Sequence, residues 1–140
     1  MPKLSCVLLV DDDQTTNYLN QLLLKRLNVA DKLVVALNGA EALQQLQIHS
    51  ENASEDQPIL ILLDVKMPVM NGFEFLEAFD QLPQLQKQAI IIVMLTTSLH
   101  PQDVSRLEKL PIAGLLNKPL TKEKVEGIMR THFSSQLPSN

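Results

Sequence analysis

The chain of 140 residues has a net charge of −4 and a single cysteine. That is long enough for one buried core, and too acidic, with basic residues too scattered, for nucleic acid to be the main partner. No apolar run approaches the ~20 residues that cross a bilayer, and Met1-Pro2-Lys3-Leu4 lacks the long apolar region of a signal peptide, so no membrane partner and a cytoplasmic setting are the expectation. Cys6 has no partner for an internal disulfide, and His49, His100 and His132 stand too far apart for zinc spacing. Any bound metal should be a hard cation held by oxygens.

Leu4 to Val10 reads as an apolar strand that ends in Asp11-Asp12-Asp13. Gln14 to Leu27 follows as a helix, with Tyr18, Leu19, Leu22, Leu23 and Leu27 near one face. Asp13 is better placed to cap that helix than to bind a metal. Lys32 to Leu37 is a short strand, and Asn38-Gly39-Ala40-Glu41 has the capping-box pattern that opens a helix to about Ile48. The polar stretch from His49 to Gln57 reads as a loop. Ile59 to Leu63 is an unbroken apolar run ending at Asp64, the pattern of a strand buried on both faces.

Asn71-Gly72-Phe73-Glu74 repeats the capping-box pattern and starts a helix carrying Phe73, Leu76 and Phe79, closed by Pro83. Ala89 to Leu95 is the next apolar strand, ending at Thr96-Thr97-Ser98. Pro101 suits the first position of a helix to about Leu110, with Val104 and Leu107 inward. Ile112 to Leu116 is a shorter strand ending at Asn117-Lys118-Pro119. Thr121 caps a last helix that buries Val125, Ile128, Met129 and Phe133, and 134–140 forms a short tail.

Strict alternation of strand and helix is the pattern of a doubly wound parallel sheet with helices on both faces. Of the two common strand orders, the flavodoxin-like 2-1-3-4-5 makes strands 1 and 3 neighbours at the switch point, where such sheets keep their ligand crevice. Asp11 and Asp12 then lie beside Asp64, with Thr96 and Lys118 at the next strand ends. Three carboxylates in one crevice repel one another and favour a cation, and an oxygen-only set suits Mg²⁺. With a lysine and a hydroxyl added, the set holds what phosphoryl transfer to a carboxylate requires. No GxxxxGK[ST], GxGxxG or GxSxG motif is present, so the phosphoryl donor must come from elsewhere.

These residues resemble the receiver domain of two-component response regulators, in particular its stand-alone, chemotaxis-regulator type. The likeness covers residues 4–133 of one domain spanning 1–140, and rests on four pieces in order. Val10-Asp11-Asp12-Asp13 resembles the acidic pair after strand 1, and Asp64-Val65-Lys66-Met67-Pro68 with Gly72 resembles the D-x-x-M-P-x-x-x-G motif. Thr96 matches the switch Thr/Ser, and Lys118-Pro119 the Lys-Pro after strand 5. The resemblance implies that Asp64 is the phosphoacceptor, served by a histidine kinase or histidine phosphotransfer protein. It implies Mg²⁺ bound by Asp12, Asp64 and the Lys66 backbone carbonyl, with Asp11 acting largely through water. Lys118 would pair with the phosphoryl group, and the Lys118–Pro119 bond would be cis. Thr96 would hydrogen-bond a phosphoryl oxygen and shift the surface of helix 4, strand 5 and helix 5 toward a downstream protein. Lys66 and Ser98 would tune loss of the phosphoryl group to water.

The chain departs from the family pattern at Leu115, where Tyr or Phe is common, at Leu120 in place of Phe, and at Thr97 in place of Ala. These changes leave the phosphorylation chemistry alone and bear on how the signal leaves the domain. The short stretch after residue 133 is too brief for an output domain, so the expectation is a signalling module rather than an enzyme. The competing readings are a Mg²⁺-dependent phosphohydrolase with an aspartyl intermediate and an interaction module independent of phosphorylation. Lys66 counts against the first, since such hydrolases of the haloacid dehalogenase type want an acid two residues after the nucleophile.

Overall fold

Runs of Leu, Ile and Val that are apolar at every position can be buried only where helices cover both faces of a sheet. In the computed structural model the elements follow in the order β1 (Leu4–Val10), α1 (Gln14–Leu27), β2 (Ala30–Ala36), α2 (Gly39–Ser50), β3 (Ile59–Asp64), α3 (Gly72–Asp80), β4 (Ile90–Thr96), α4 (Pro101–Leu107), β5 (Gly114–Asn117) and α5 (Lys122–His132). The structure describes residues 4–50, 53–54, 57–83, 87, 89–97, 101–107 and 109–133. Ser98, the Val104 side chain and the 134–140 tail lie outside the described residues.

All strand pairs are parallel, and the order is β2-β1-β3-β4-β5, the flavodoxin-like arrangement. Along β3, Ile59, Ile61 and Leu63 face one core while Leu60 and Leu62 face the other, and β4 alternates in the same phase. The first core is closed by Ala42 and Leu46 of α2, by Phe73, Phe75, Leu76 and Phe79 of α3, and by Leu107 of α4. The second is closed by Leu24 of α1, by Val125, Ile128 and Met129 of α5, and by Phe133 at its end. Cys6 of β1 is buried in the first core, where desolvation pushes its thiol up to about 11 against a smaller downward pull from Lys32. The edge strand β2 carries exposed Asp31 and Lys32, charges that discourage pairing with another chain.

Helix starts follow the capping chemistry. Asn71 and Glu74 form a complete capping box, Glu74 N donating to Asn71 Oδ1 at 2.9 Å and Asn71 N to Glu74 Oε1 at 3.0 Å. At α2 the box is altered: Asn38 Oδ1 accepts from Glu41 N, but the Glu41 carboxylate reaches one residue further back, to Leu37 N at 3.2 Å. Some boundaries move from their expected places. β2 begins at Ala30 because that residue is already in register with Leu4. α4 stops at Leu107, and β5 starts at Gly114 because Ile112 is spent in a turn, its N–H donating to Leu110 O at 2.8 Å.

Among the described residues, α1 is rotated from its expected face, although Leu23 and Leu27 of that face still pack against the second core. Tyr18, Leu19 and Leu22, expected inward, are 60%, 57% and 43% exposed, while Asn17, Asn20 and Leu24 are buried. Apolar side chains ring this helix, so hydropathy alone leaves its rotation undecided. The rotation goes with the Asp13 cap and with a buried tie from Asn17 to the strand end described below.

Candidate functional site

Register places the strand ends side by side. Val10 pairs with Leu63, Asp64 with Leu95 and Thr96 with Asn117, so residues just beyond β1, β3, β4 and β5 share one rim of the sheet. Carboxylate oxygens of Asp11, Asp12 and Asp64 all lie within 4.8 Å of one another there. Asp11 is buried, Asp64 half-buried and Asp12 exposed, which gives the cluster one open side. Asp13 stands apart as the cap of α1, accepting from Thr15 N at 3.1 Å and from the Thr16 hydroxyl at 2.7 Å. Its exposed carboxyl is held below the usual range chiefly by the Thr16 hydrogen bond.

Lys118 closes the cluster from β5. Its Nζ donates to Asp11 Oδ2 at 2.7 Å and stands 3.4 Å from Asp64 Oδ1. The remaining Asp11 oxygen, Oδ1, accepts from Asp13 N at 2.9 Å, and Asp64 Oδ1 accepts from Val65 N at 2.8 Å. Both contacts of Asp64 thus converge on Oδ1. Burial raises the Asp64 pKa, and the Asp11 charge adds to the rise, against opposing effects of Lys118 and the Val65 N–H. Burial alone would lower Lys118, but its hydrogen bond to Asp11 and the charges of Asp11 and Asp64 outweigh it, and its pKa is raised. The Lys118 ammonium stands closer to Asp11 than to Asp64, and it offsets only part of the effect of burial on Asp64.

The backbone around these groups is closely fitted. A Cβ at Gly72 would overlap the Asp64 carbonyl oxygen and come within 2.8 Å of Met94 Cε, so only glycine lets α3 start this close to β3. Gly72 N donates to Val65 O at 2.9 Å, and Gly39 N of α2 to Met70 O at 2.8 Å, tying the loop after Asp64 at two points. Between them Met70 N donates to Pro68 O at 2.7 Å around Val69, whose φ is 67°. That is the rare γ-turn with positive φ, costly for a β-branched residue.

The structure brings Asp11, Asp12, Asp64 and Lys118 together. Thr96 sits buried at the adjoining end of β4, its carbonyl accepting from Lys118 N at 2.8 Å. The Lys66 side chain is exposed, and the Lys118–Pro119 bond is cis. Two supports went unforeseen. Asn17 Nδ2 donates to Asp11 O at 2.8 Å, and Lys124 Nζ donates to the Asn117 and Pro119 carbonyls that flank Lys118, at 2.6 and 2.9 Å. Asn17 falls in phase with Asn20, Leu24 and Leu27 at helical spacing, which was the available signal for it. Lys124 gave none, since a lysine in a first helical turn looks solvated.

The carboxylate set fits a hard divalent cation: all donors are oxygens, three negative charges face one ammonium, and one side is open.

A doubly wound α/β domain with acids at the ends of β1 and β3 and a lysine after β5 defines a class of regulatory domain. The chain belongs to the response regulator receiver domain family, whose model matches residues 7–130. It is 34% identical over 112 residues to the response regulator Rcp1 of Synechocystis sp., covering 80% of this chain and 75% of that protein. It is 30% identical over 120 residues to the chemotaxis protein CheY of Halobacterium salinarum, covering 85% and 88%. Among solved structures, a two-component response regulator from Cytophaga hutchinsonii superposes with a TM-score of 0.77 at 28% identity, covering 91% of this chain and 96% of the other. Among the described residues no helix is long and apolar enough to cross a membrane.

Proposed function

We propose that Asp64 accepts a phosphoryl group from the phosphohistidine of a histidine kinase or phosphotransfer protein, and that the domain then signals through protein contacts. The observation that carries this reading is the convergence of Asp11, Asp12 and Asp64 on one open-sided pocket, with Lys118 against two of them. Asp64 supplies the nucleophile: a carboxylate oxygen attacks phosphorus while the P–N bond to the donor imidazole breaks. Burial and the Asp11 charge disfavour the free anion, and converting it to an acyl phosphate brings in further negative charge that must be offset.

Lys118, already within 3.4 Å of Asp64, is placed to meet that charge. Asp11, Asp12, Asp64 and the Lys66 carbonyl would hold Mg²⁺, which when bound neutralises the charge of the carboxylates and of the phosphoryl oxygens. Thr96 would hydrogen-bond the phosphoryl group and pass the change to α4, β5 and α5, while Lys66 and Ser98 would govern access of water. The exposed Tyr18, Leu19 and Leu22 of α1, a helix that starts at the acidic turn, offer apolar area to a donor protein docked over the pocket.

The test is incubation with acetyl phosphate and Mg²⁺, read by mass spectrometry. One stable phosphoryl addition, absent in Asp64→Asn and without Mg²⁺, is the expected result. Steady turnover of a small phosphoester would instead make this a phosphohydrolase, and no adduct under any donor would leave only an interaction module.

A further inference from the structure

We propose that Asn17 is a positioning residue for the acidic turn, fixing the direction in which Asp12 presents its carboxylate to Asp64; this rests on the Mg²⁺-binding reading above. Asp12 is exposed, and no hydrogen bond among the described residues holds its side chain. Its placement therefore depends on the two residues beside it.

The side chain of Asn17 holds the first of these: its Nδ2 donates to the Asp11 carbonyl at 2.8 Å. Its backbone N–H donates to the Asp13 carbonyl at 3.1 Å, the ordinary first bond of the helix, which any residue here would make. The Asp11 carbonyl belongs to the Asp11–Asp12 peptide plane, so a bond to it fixes the rotation of that plane and the φ of Asp12. Asp11's own side chain is locked independently, by Asp13 N and Lys118 Nζ. Asp12 is thus the member of the cluster whose aim relies on Asn17.

The cost of keeping an amide here supports a dedicated role. Asn17 is 3% exposed, and among the described residues its Oδ1 has no hydrogen-bond partner. A buried acceptor left unpaired is destabilising. An apolar side chain would suit the face that Leu24 continues, whereas Nδ2 is what reaches the Asp11 carbonyl. Groups oriented by such outer contacts characteristically lose metal affinity when the contact is removed.

The experiment is Mg²⁺ titration by calorimetry on the wild-type chain, Asn17→Leu and Asn20→Leu, with metal-free melting curves for each. Asn20 is buried on the same helix face, further along the helix from the acidic turn, and controls for removing a buried amide. Asn17→Leu should weaken Mg²⁺ binding about tenfold or more while still melting cooperatively, and Asn20→Leu should bind as wild type. Should Asn17→Leu fail to fold, Asn17→Ala carries the same expectation. Wild-type affinity in the Asn17 variant, or an equal loss in both variants, overturns the positioning role while leaving the proposed function intact. A wild-type chain that binds no Mg²⁺ overturns both.

Discussion

Helices α1 and α3 both begin beside the acidic rim, yet they are packed on opposite logics. α3 buries Phe73, Phe75, Leu76 and Phe79, and its hydropathy pattern is its packing pattern. α1 buries two asparagines and one leucine while Tyr18, Leu19 and Leu22 face out. The difference lies in what each helix must hold. α3 has only to seal a core, and Gly72 lets it press directly on β3. α1 must also hold the carbonyl beside its acids, and a polar contact to the backbone takes the place that a leucine would otherwise fill.

The contrast is sharpest under truncation. Phe75 is fully buried and stacks on Phe79 with ring centroids 6.2 Å apart, so Phe75→Ala should cost about 3–5 kcal/mol in denaturant unfolding. Asp64→Asn should have the opposite sign. The folded-state pKa of Asp64 is raised above its ordinary 3.8, so the group favours the folded state most when protonated, and that advantage is lost as pH rises through the raised value. Removing the charge should therefore raise the melting temperature at neutral pH without Mg²⁺, and the gain should vanish as pH falls below the ordinary carboxylate range.

Loss of the α3 cap in Asn71→Ala should cost about 1 kcal/mol, read in the same unfolding assay. Tyr18→Ser and Leu19→Ser on α1 should each change stability by less than about 0.5 kcal/mol. A loss from either approaching that of Phe75→Ala would mean that α1 packs on its apolar face after all, and the contrast would fall.

Most of the architecture could be read from the chain because unbroken apolar runs, capping residues and turn residues agree with one another. The runs ending at Val10, Asp64 and Thr96 became neighbouring strands, and both capping-box sequences start helices. The gathering of Asp11, Asp12, Asp64 and Lys118 followed from topology, since strand ends of a parallel sheet share an edge. What escaped were features that depend on three-dimensional context. The rotation of α1 was hidden because leucines surround it, and the Lys124 contacts arise only where a tight turn exposes two carbonyls to one ammonium. Val69 gave no warning either, because β-branched residues avoid the positive φ it adopts.

The buried thiol of Cys6 offers a practical handle. With its pKa pushed up to about 11 and its side chain enclosed in β1, it stays protonated and shielded from alkylating reagents until the central sheet opens. Its rate of modification is therefore a stopwatch for opening of the middle of the molecule, with no engineered label needed. Ligands that brace the acidic rim should slow that stopwatch from the far end of the same strand.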